Sequence, residues 1–338
     1  MTLAPVSAAF KGKEQISMND LLETFSKSLV PSEFRVVNFP SLIFLCGGPT
    51  DPSDPNHYPS VRDFIHKYIQ SKHPDVFKKI KLAEEINDWY RDGLYKDLLS
   101  FEKDLAGLSA VIILFVESPG SIAELGFFCQ EKEIMKKALI FMHTDHYDDE
   151  TSFIKLGPIK YIERKYMKSI ETYRWLKSKN VQNEDWDEES LKEIAPDITK
   201  TIMDRVGDIR EGQKWDVKIP GHLILFICDI IDIMKIVKMS EIETVLRILD
   251  FRIAEGDIEK YLFILKKLGL IKKVSYSSER YYVALISEPF IKYSYTKGAI
   301  ANDRWRWKMM FRELFPEKDK KRNRAYIDFE KNIVRGYD

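Results

Sequence analysis

The sequence predicts an α/β protein: a doubly wound parallel sheet, followed by a helical connector and a winged helix-turn-helix domain. Three observations predict it. Between residues 41 and 143, short apolar runs of strand length alternate with segments of helical period. Two of those runs end in turn-forming residues, Gly47–Gly48 and Pro119–Gly120, as buried parallel strands do. From residue 216 onward, three helical segments precede a hairpin pattern, which is the element order of a winged helix.

Taken in order, residues 1–40 are mixed in character, end at Pro40, and read as an N-terminal arm with helical character. SLIFLCGG (41–48) reads as a buried strand. SVRDFIHKYIQS (60–71) places Val61, Phe64, Ile65, Tyr68 and Ile69 on one helical face. IKLAEEI (80–86) reads as a second strand running into a loop, and Leu94 to Leu108 as a helix. AVIILFVES (110–118) is the clearest buried strand, followed by a helix over 119–137 and a further strand, ALIFMH (138–143). These elements define an α/β domain over 41–165. The charged, helix-prone stretch 166–215, acidic at Glu184 to Glu189, reads as a connector. The last domain, 216–338, holds helices at about 221–237, 239–251 and 257–268, a hairpin over 272–285 turning at Ser277–Ser278, and a tail rich in Arg, Lys, Trp and Tyr.

A chain of 338 residues with 44% apolar and 12% aromatic side chains suffices for two cores. Its 53 basic and 53 acidic residues cancel, so binding to a polyanion must come from a local patch. Cys46, Cys129 and Cys228 are odd in number and far apart, without zinc-site spacing, which implies a reducing, cytoplasmic setting. The N-terminus lacks the apolar core of a signal peptide. The greasiest run, His222 to Val237, is too short to span a bilayer and carries Asp229, Asp232 and Lys235 on one stripe. It reads as a core helix, and no membrane association is expected.

The densest chemical signal is VESPGSIAELG, Val116 to Gly126, which leaves a strand and opens a helix at the edge where open α/β sheets bind ligands. Pro119 and Gly120 permit a tight turn, Ser121 suits the helix start, and the N–H groups there suit a phosphate. Glu124 then reads as a first-turn residue directed into the same crevice. Ser121-x-x-Glu124 is also the pattern of a capping box, in which Glu124 bonds back to the Ser121 backbone. Glu117, Arg62 and the Gly47–Gly48 turn give the crevice more than capping requires. Breaking a ribosyl C–N bond builds oxocarbenium character, which a carboxylate beneath the ring stabilises or attacks, while a second acidic group protonates the departing base.

These strings resemble the nucleoside deoxyribosyltransferase superfamily, whose nucleophilic glutamate sits in a G-x-x-x-E-x-G arrangement, here Gly120, Glu124 and Gly126. The resemblance is closer to the deoxyribosyltransferase-like effector proteins of bacterial retrons. It is carried in order by IFLCGG (43–48), the Arg62 helix, the Glu84 segment, SFE (100–102), VIILFVESPGSIAELGFF (111–128) and SFIKLGPI (152–159). It implies a nucleoside deoxyribosyltransferase-like sheet, Glu124 as nucleophile, and a pocket lined by Gly47, Gly48, Arg62, Glu84, Glu102, Glu117, Ser118 and Gly120. The transferases carry an acidic residue six positions before the nucleophile. Here Ser118 stands there, with Glu117 one step earlier, which favours hydrolysis over base transfer. Asp104 rivals Glu102 as the supporting carboxylate: it fits the transferase pattern, whereas Glu102 fits the retron branch.

The same resemblance implies a toxin of an antiviral system, held by a reverse transcriptase and its msDNA and non-coding RNA. It implies cleavage of a nucleotide, NAD foremost, as substrate with no cofactor required, and a homodimer or higher assembly. Among weaker signals, HTDH (143–146) lacks a third metal ligand and reads as a loop. Lys266, Lys267, Lys272, Lys273 and Arg280 surround the expected recognition helix and wing. They are either a solvated face or phosphate contacts. RWRWK (304–308), with Arg304 and Arg306, and KDKKRNR (318–324) interleave cations and aromatics as strand-binding segments do, although Trp305 and Trp307 equally suit packing. The competing functional class is a nucleotide-sensing, DNA-binding regulator without turnover, which has no use for carboxylates beside an anion.

Overall fold

The computed structural model describes residues 17–86, 94–175, 186–207 and 212–335. Its longer elements follow in chain order. Helix α1 (Met18–Ser28), β1 (Arg35–Val36), β2 (Ile43–Cys46), α2 (Val61–Lys72) and β3 (Ile80–Lys81) come first. Then come α3 (Leu98–Leu108), β4 (Val111–Val116), α4 (Pro119–Gln130), β5 (Ala138–His143), β6 (Ile170–Tyr173) and α5 (Glu188–Gly207). The last are β7 (Gln213–Lys214), α6 (Pro220–Met234), α7 (Met239–Ile248), α8 (Asp257–Lys267), β8 (Ile271–Tyr276), β9 (Glu279–Ala284), β10 (Ile291–Lys292), α9 (Arg304–Lys318) and α10 (Lys320–Arg335). The chain divides into two compact units, Phe39–Arg210 and the discontinuous Met1–Asn38 with Glu211–Asp338.

The first unit is a mixed α/β body around a five-stranded parallel sheet of order β3-β2-β4-β5-β6. All six residues of β4 are buried, as expected of a central strand covered on both faces. One face sends Ile43, Leu45, Val111, Ile113, Phe115 and Phe141 into a core shared with Val61, Ile65 and Ile69 of α2. Leu191, Ala195, Ile198 and Ile202 of α5 complete that core. Their spacing of three and four residues is the apolar stripe of a packed helix. Phe44, Ile112, Leu114, Ile140 and Met142 alternate to the other face and are equally buried. The chain runs from β2 out to β3 and then returns past β2 to β4. The strand order therefore reverses between β2 and β4, the crevice position of doubly wound sheets.

Several expectations shift here. The strand expected over 80–86 is only Ile80–Lys81, followed by a 3₁₀ turn, Ala83–Glu85. The helix expected from Leu94 begins at Leu98, where the Asp97 side chain accepts from the Ser100 N–H. The stretch 166–215 does not read as a connector in the structure: β6 is an edge strand and α5 covers the sheet. Part of it, 176–185 and 208–211, lies outside the described residues, as does 1–16 of the N-terminal arm.

In the second unit, β1 pairs antiparallel with both β10 and β7, so residues 35–36 belong with the C-terminal residues. The core is α6, with Leu225, Phe226, Ile227, Ile230 and Ile231 fully buried, against which α9 and β9 pack. Helices α6, α7 and α8 are followed by the antiparallel β8–β9 hairpin, whose turn is Ser277–Ser278 with Ser277 at φ 56°. Asp229 is fully buried; it accepts the Phe290 and Ile291 N–H groups at 3.1 and 2.8 Å and the Arg304 guanidinium at 2.8 and 3.1 Å. Asp232 takes Arg304 at 2.5 Å and Lys308 at 2.6 Å. Among the described residues, no helix is long and apolar enough to cross a membrane.

Candidate functional site

The ends of β2 and β4 make the crevice, and the two glycines between β2 and α2 are what allow it to close. Gly47 has φ +145°, and a Cβ there would lie 2.9 Å from the Phe115 Cβ and 3.2 Å from the Arg62 Cδ. A Cβ on Gly48 would meet the Ser60 Cβ at 2.6 Å. The close approach these residues permit is therefore by the protein's own strand, loop and arginine.

Helix α4 starts three residues earlier than a Ser121 cap requires. Ser118 is its N-cap, Pro119 occupies the first turn, and the Ser118 hydroxyl accepts the Ser121 N–H at 3.2 Å. Ser121 is fully buried. Its Oγ accepts the Glu117 and Ser118 N–H groups, both at 2.9 Å, and donates to the Ser118 carbonyl at 2.8 Å. Ser118 and Ser121 thus knit the turn together, and Gly120 lies in the first turn, where a Cβ would make ordinary contact with the Ser118 Oγ at 3.8 Å. Glu124 falls in the second turn, not the first. The capping that the Ser121-x-x-Glu124 pattern suggested is carried out by Ser118 and Ser121 instead.

Released from capping, Glu124 presents a buried Oε2 with no hydrogen-bond partner. Burial raises its pKa to about 8, the charge of Glu102 adds to the rise, and Arg62 opposes it. Glu102 is 3% exposed and raised to about 7 by burial, then by Glu84, again against Arg62. The Arg62 guanidinium is buried, donates to the Leu45 carbonyl at 3.2 Å and pairs with Glu84, while its Nε–H has no partner. Glu84 is the exposed member, 42% accessible, and accepts from the Thr50 hydroxyl at 3.4 Å. Cys46, at the end of β2, is a buried free thiol pushed well up by burial and then by Glu124 and Glu102, so it lies within their field. Sequence reasoning passed over Cys46 and Thr50, although both flank the Gly47–Gly48 turn.

Asp104 stands apart. Two helical residues from Glu102, it points about 200° away around α3, and accepts the Tyr95 hydroxyl at 2.9 Å. Glu117 accepts the Gly48, Val61 and Arg62 N–H groups at 3.2, 2.7 and 3.0 Å. A cavity of about 980 Å³ beside α2, walled by Tyr58, His66, Tyr68 and Phe77, touches this cluster only at Thr50 and Glu84. Glu124 and Glu102 are not part of its lining, and the convergence of charged groups outweighs its size in locating the site.

In the second unit, Lys266, Lys272, Lys273 and Arg280 are exposed at the end of α8 and on the hairpin, and Lys267 is half-buried there. Lys266 and Lys267 lie 5.6 and 5.5 Å from the Phe263 ring. Arg324 of α10 reaches the Tyr276 hydroxyl at 3.3 Å. Arg306 is exposed and paired with Asp303 at 3.2 Å. Arg304 is not a surface cation: its side chain is 17% exposed and bound to Asp229 and Asp232, because the fully buried Asp229 carboxylate demands a bidentate partner. Trp307 is fully buried in the core, whereas Trp305 is 55% exposed. HTDH closes β5 and enters a helical turn, Thr144–Asp148, and among the described residues no acidic, His or Cys cluster could hold a metal ion.

A family model, that of the STM3845 retron effector protein, matches residues 58–273. The chain is 26% identical over 303 residues to an Escherichia coli protein named "Retron Ec73 putative ribosyltransferase/DNA-binding protein", covering 86% of this chain and 89% of that one. It is 35% identical over 138 residues to the Escherichia coli "Retron Ec86 putative ribosyltransferase/DNA-binding protein", covering 40% of this chain and 42% of the relative.

Proposed function

The chain belongs to the STM3845 retron effector protein family, and from that premise we propose that it is an N-glycosidase that hydrolyses the glycosidic bond of a nucleotide, NAD first among the candidates. One observation carries the reading: the buried, unpartnered Oε2 of Glu124 beside a second buried carboxylate, Glu102. A group so placed has no structural employment, and its desolvation disfavours a purely anionic ligand. The ribosyltransferase in the names of both relatives points to the same bond class.

In this mechanism the pair carries one proton, which rests on Glu124 in the free site, where the rise is to about 8 against about 7 for Glu102, and passes to Glu102 before attack. The Glu124 carboxylate attacks the anomeric carbon as the C–N bond breaks, and the electron pair leaves with the base. A neutral nucleobase takes the proton of Glu102, whereas a cationic pyridinium departs as neutral nicotinamide and needs none. Water then cleaves the glycosyl ester, its proton passing to the carboxylate pair and its hydroxyl to the sugar. Glu84 and Arg62 face the same crevice and hold sugar or phosphate oxygens.

The second unit supplies the partner surface. Helices α6 to α8 and the β8–β9 hairpin follow winged-helix order, and Lys266, Lys267, Lys272, Lys273 and Arg280 contact nucleic acid phosphates there. The partners are the reverse transcriptase and its msDNA, in a cytoplasmic complex containing two or more copies of this chain. The test is chromatography of products after incubation with NAD and a panel of nucleosides and nucleotides, with and without those partners. Free base from wild type and none from Glu124→Gln is expected. Equal release by the variant, or none from wild type under any condition, rejects the reading.

A further inference from the structure

The crevice contains one carboxylate that the backbone already holds. Glu117 accepts three backbone N–H groups, from Gly48, Val61 and Arg62, at 3.2, 2.7 and 3.0 Å. Ser60 caps α2 by accepting the Asp63 N–H at 2.9 Å, so Val61 and Arg62 are the first two residues of that helix. Their N–H groups have no acceptor within the helix. A carboxylate at this end also complements the positive pole of the helix. The fit is tight: a Cβ on Gly48 would lie 3.0 Å from the Glu117 Cδ and Oε1. These bonds join the end of β4, the turn after β2 and the start of α2 at one point.

The residue at that junction is Arg62. Its backbone is one of the three groups held, and its guanidinium is the cation that opposes the rise of both Glu102 and Glu124. Glu117 itself is not among the charges acting on either carboxylate. The groups that do act on Glu124 are Glu102 of α3, Arg62 of α2 and Glu84 of the 83–85 turn, with the Cys46 thiol of β2 in the same field. Arg62, whose backbone Glu117 holds, is one route by which Glu117 reaches the chemistry.

We propose that Glu117 is a positioning residue: its carboxylate fastens the first turn of α2 and so holds the Arg62 guanidinium at the Leu45 carbonyl and Glu84, from where its charge acts on the Glu102–Glu124 pair. This rests on the glycosidase reading only for its catalytic consequence; the placement of Arg62 is a property of the substrate-free fold. Glu117→Gln keeps the size and one acceptor oxygen but removes the charge and the second acceptor. Arg62 then retreats from the pair, and proton loss from Glu102 and Glu124 moves to higher pH.

The measurement is a carbon-13 titration of the full-length protein labelled at glutamate carboxyl carbons, with the two signals assigned through Glu124→Gln and Glu102→Gln. In Glu117→Gln the midpoints move up by roughly one pH unit, the lower end of what a cation at 4–6 Å does to a carboxylate. Arg62→Gln moves them in the same direction, and adding Glu117→Gln to it gives no further shift. If Glu117→Gln does not fold, Glu117→Asp, which keeps the charge but falls short of α2, carries the same expectation. Midpoints that stay in place in a folded Glu117 variant overturn the proposal, as does a full additional shift in the Arg62→Gln background. A purely structural role lowers the folded fraction and leaves the midpoints alone. With wild-type turnover, the acid limb of its pH profile moves up alongside them. Without turnover, the glycosidase reading fails while the titration still decides the role of Glu117.

Discussion

Each unit of the molecule sets a buried carboxylate and a partly buried one near an arginine, and the two clusters are finished differently. In the helical unit, Asp229 has two backbone N–H donors and a bidentate Arg304, and Asp232 has Arg304 and Lys308. In the sheet unit, Arg62 turns to exposed Glu84 and the Leu45 carbonyl, leaving Glu124 Oε2 and its own Nε without partners. Saturated charge clusters hold a fold together; a cluster left short of partners stores unfavourable desolvation that a ligand relieves. Under the proposed function, the difference separates scaffold from site without reference to residue type.

The sharpest way to break this contrast is to remove one charged group from each cluster. Glu124→Gln is expected to lower glycosidase turnover by roughly 10³-fold or more, since both the nucleophile and the proton-sharing partner are lost. Its unfolding free energy in urea should not fall; a large loss of stability would make Glu124 a structural residue. The converse substitution, Arg304→Ala, leaves Asp229 buried and uncompensated and is expected to cost about 3–5 kcal/mol in the same unfolding experiment. A cost near zero would mean the helical cluster is no more saturated than the other.

The pH dependence sharpens the comparison further. Glu124 rises from 4.5 to about 8 on folding, so the folded state holds more protons than the unfolded state between those values. Its contribution to stability therefore falls as pH climbs from about 4.5 through 8. Melting curves from pH 5 to 8 should show Glu124→Gln gaining on wild type throughout that window. Parallel curves would place Glu124 in water. The smallest expected effect is that of Asp104→Asn, which keeps an acceptor for the Tyr95 hydroxyl and leaves turnover near wild type. Glu102→Gln should lower it by about 10²-fold. Reversal of that order would return the supporting role to Asp104.

Much of the sheet unit was legible because period and burial agree. VIILFV (111–116) is fully buried and forms the central strand, and the Pro119–Gly120 turn after it opens a helix as expected. The unit boundary was less legible. The stretch around β6 and α5 reads as charged because its apolar residues occupy one stripe, and only contact with the sheet shows that Leu191, Ala195, Ile198 and Ile202 share a core. Arg304 misled for a related reason. Beside Trp305 and Arg306 it looks like a surface cation, while its partners Asp229 and Asp232 lie more than seventy residues away in sequence.

The sequence by itself determined the alternation of strand and helix, the turn that places Glu124 near the sheet edge, and the candidate carboxylates. Those features depend on local period, turn chemistry and residue type, all written within a dozen neighbouring positions. Only the tertiary structure decided which carboxylates the fold occupies with its own donors and which it does not. It gave the helix cap to Ser118 and Ser121, turned Asp104 toward Tyr95, occupied Glu117 with backbone N–H groups, and left the Glu124 carboxyl dry and within the field of Glu102. Hydrogen-bond satisfaction in a dry interior is a property of atoms brought together from distant segments, and no window of sequence contains it.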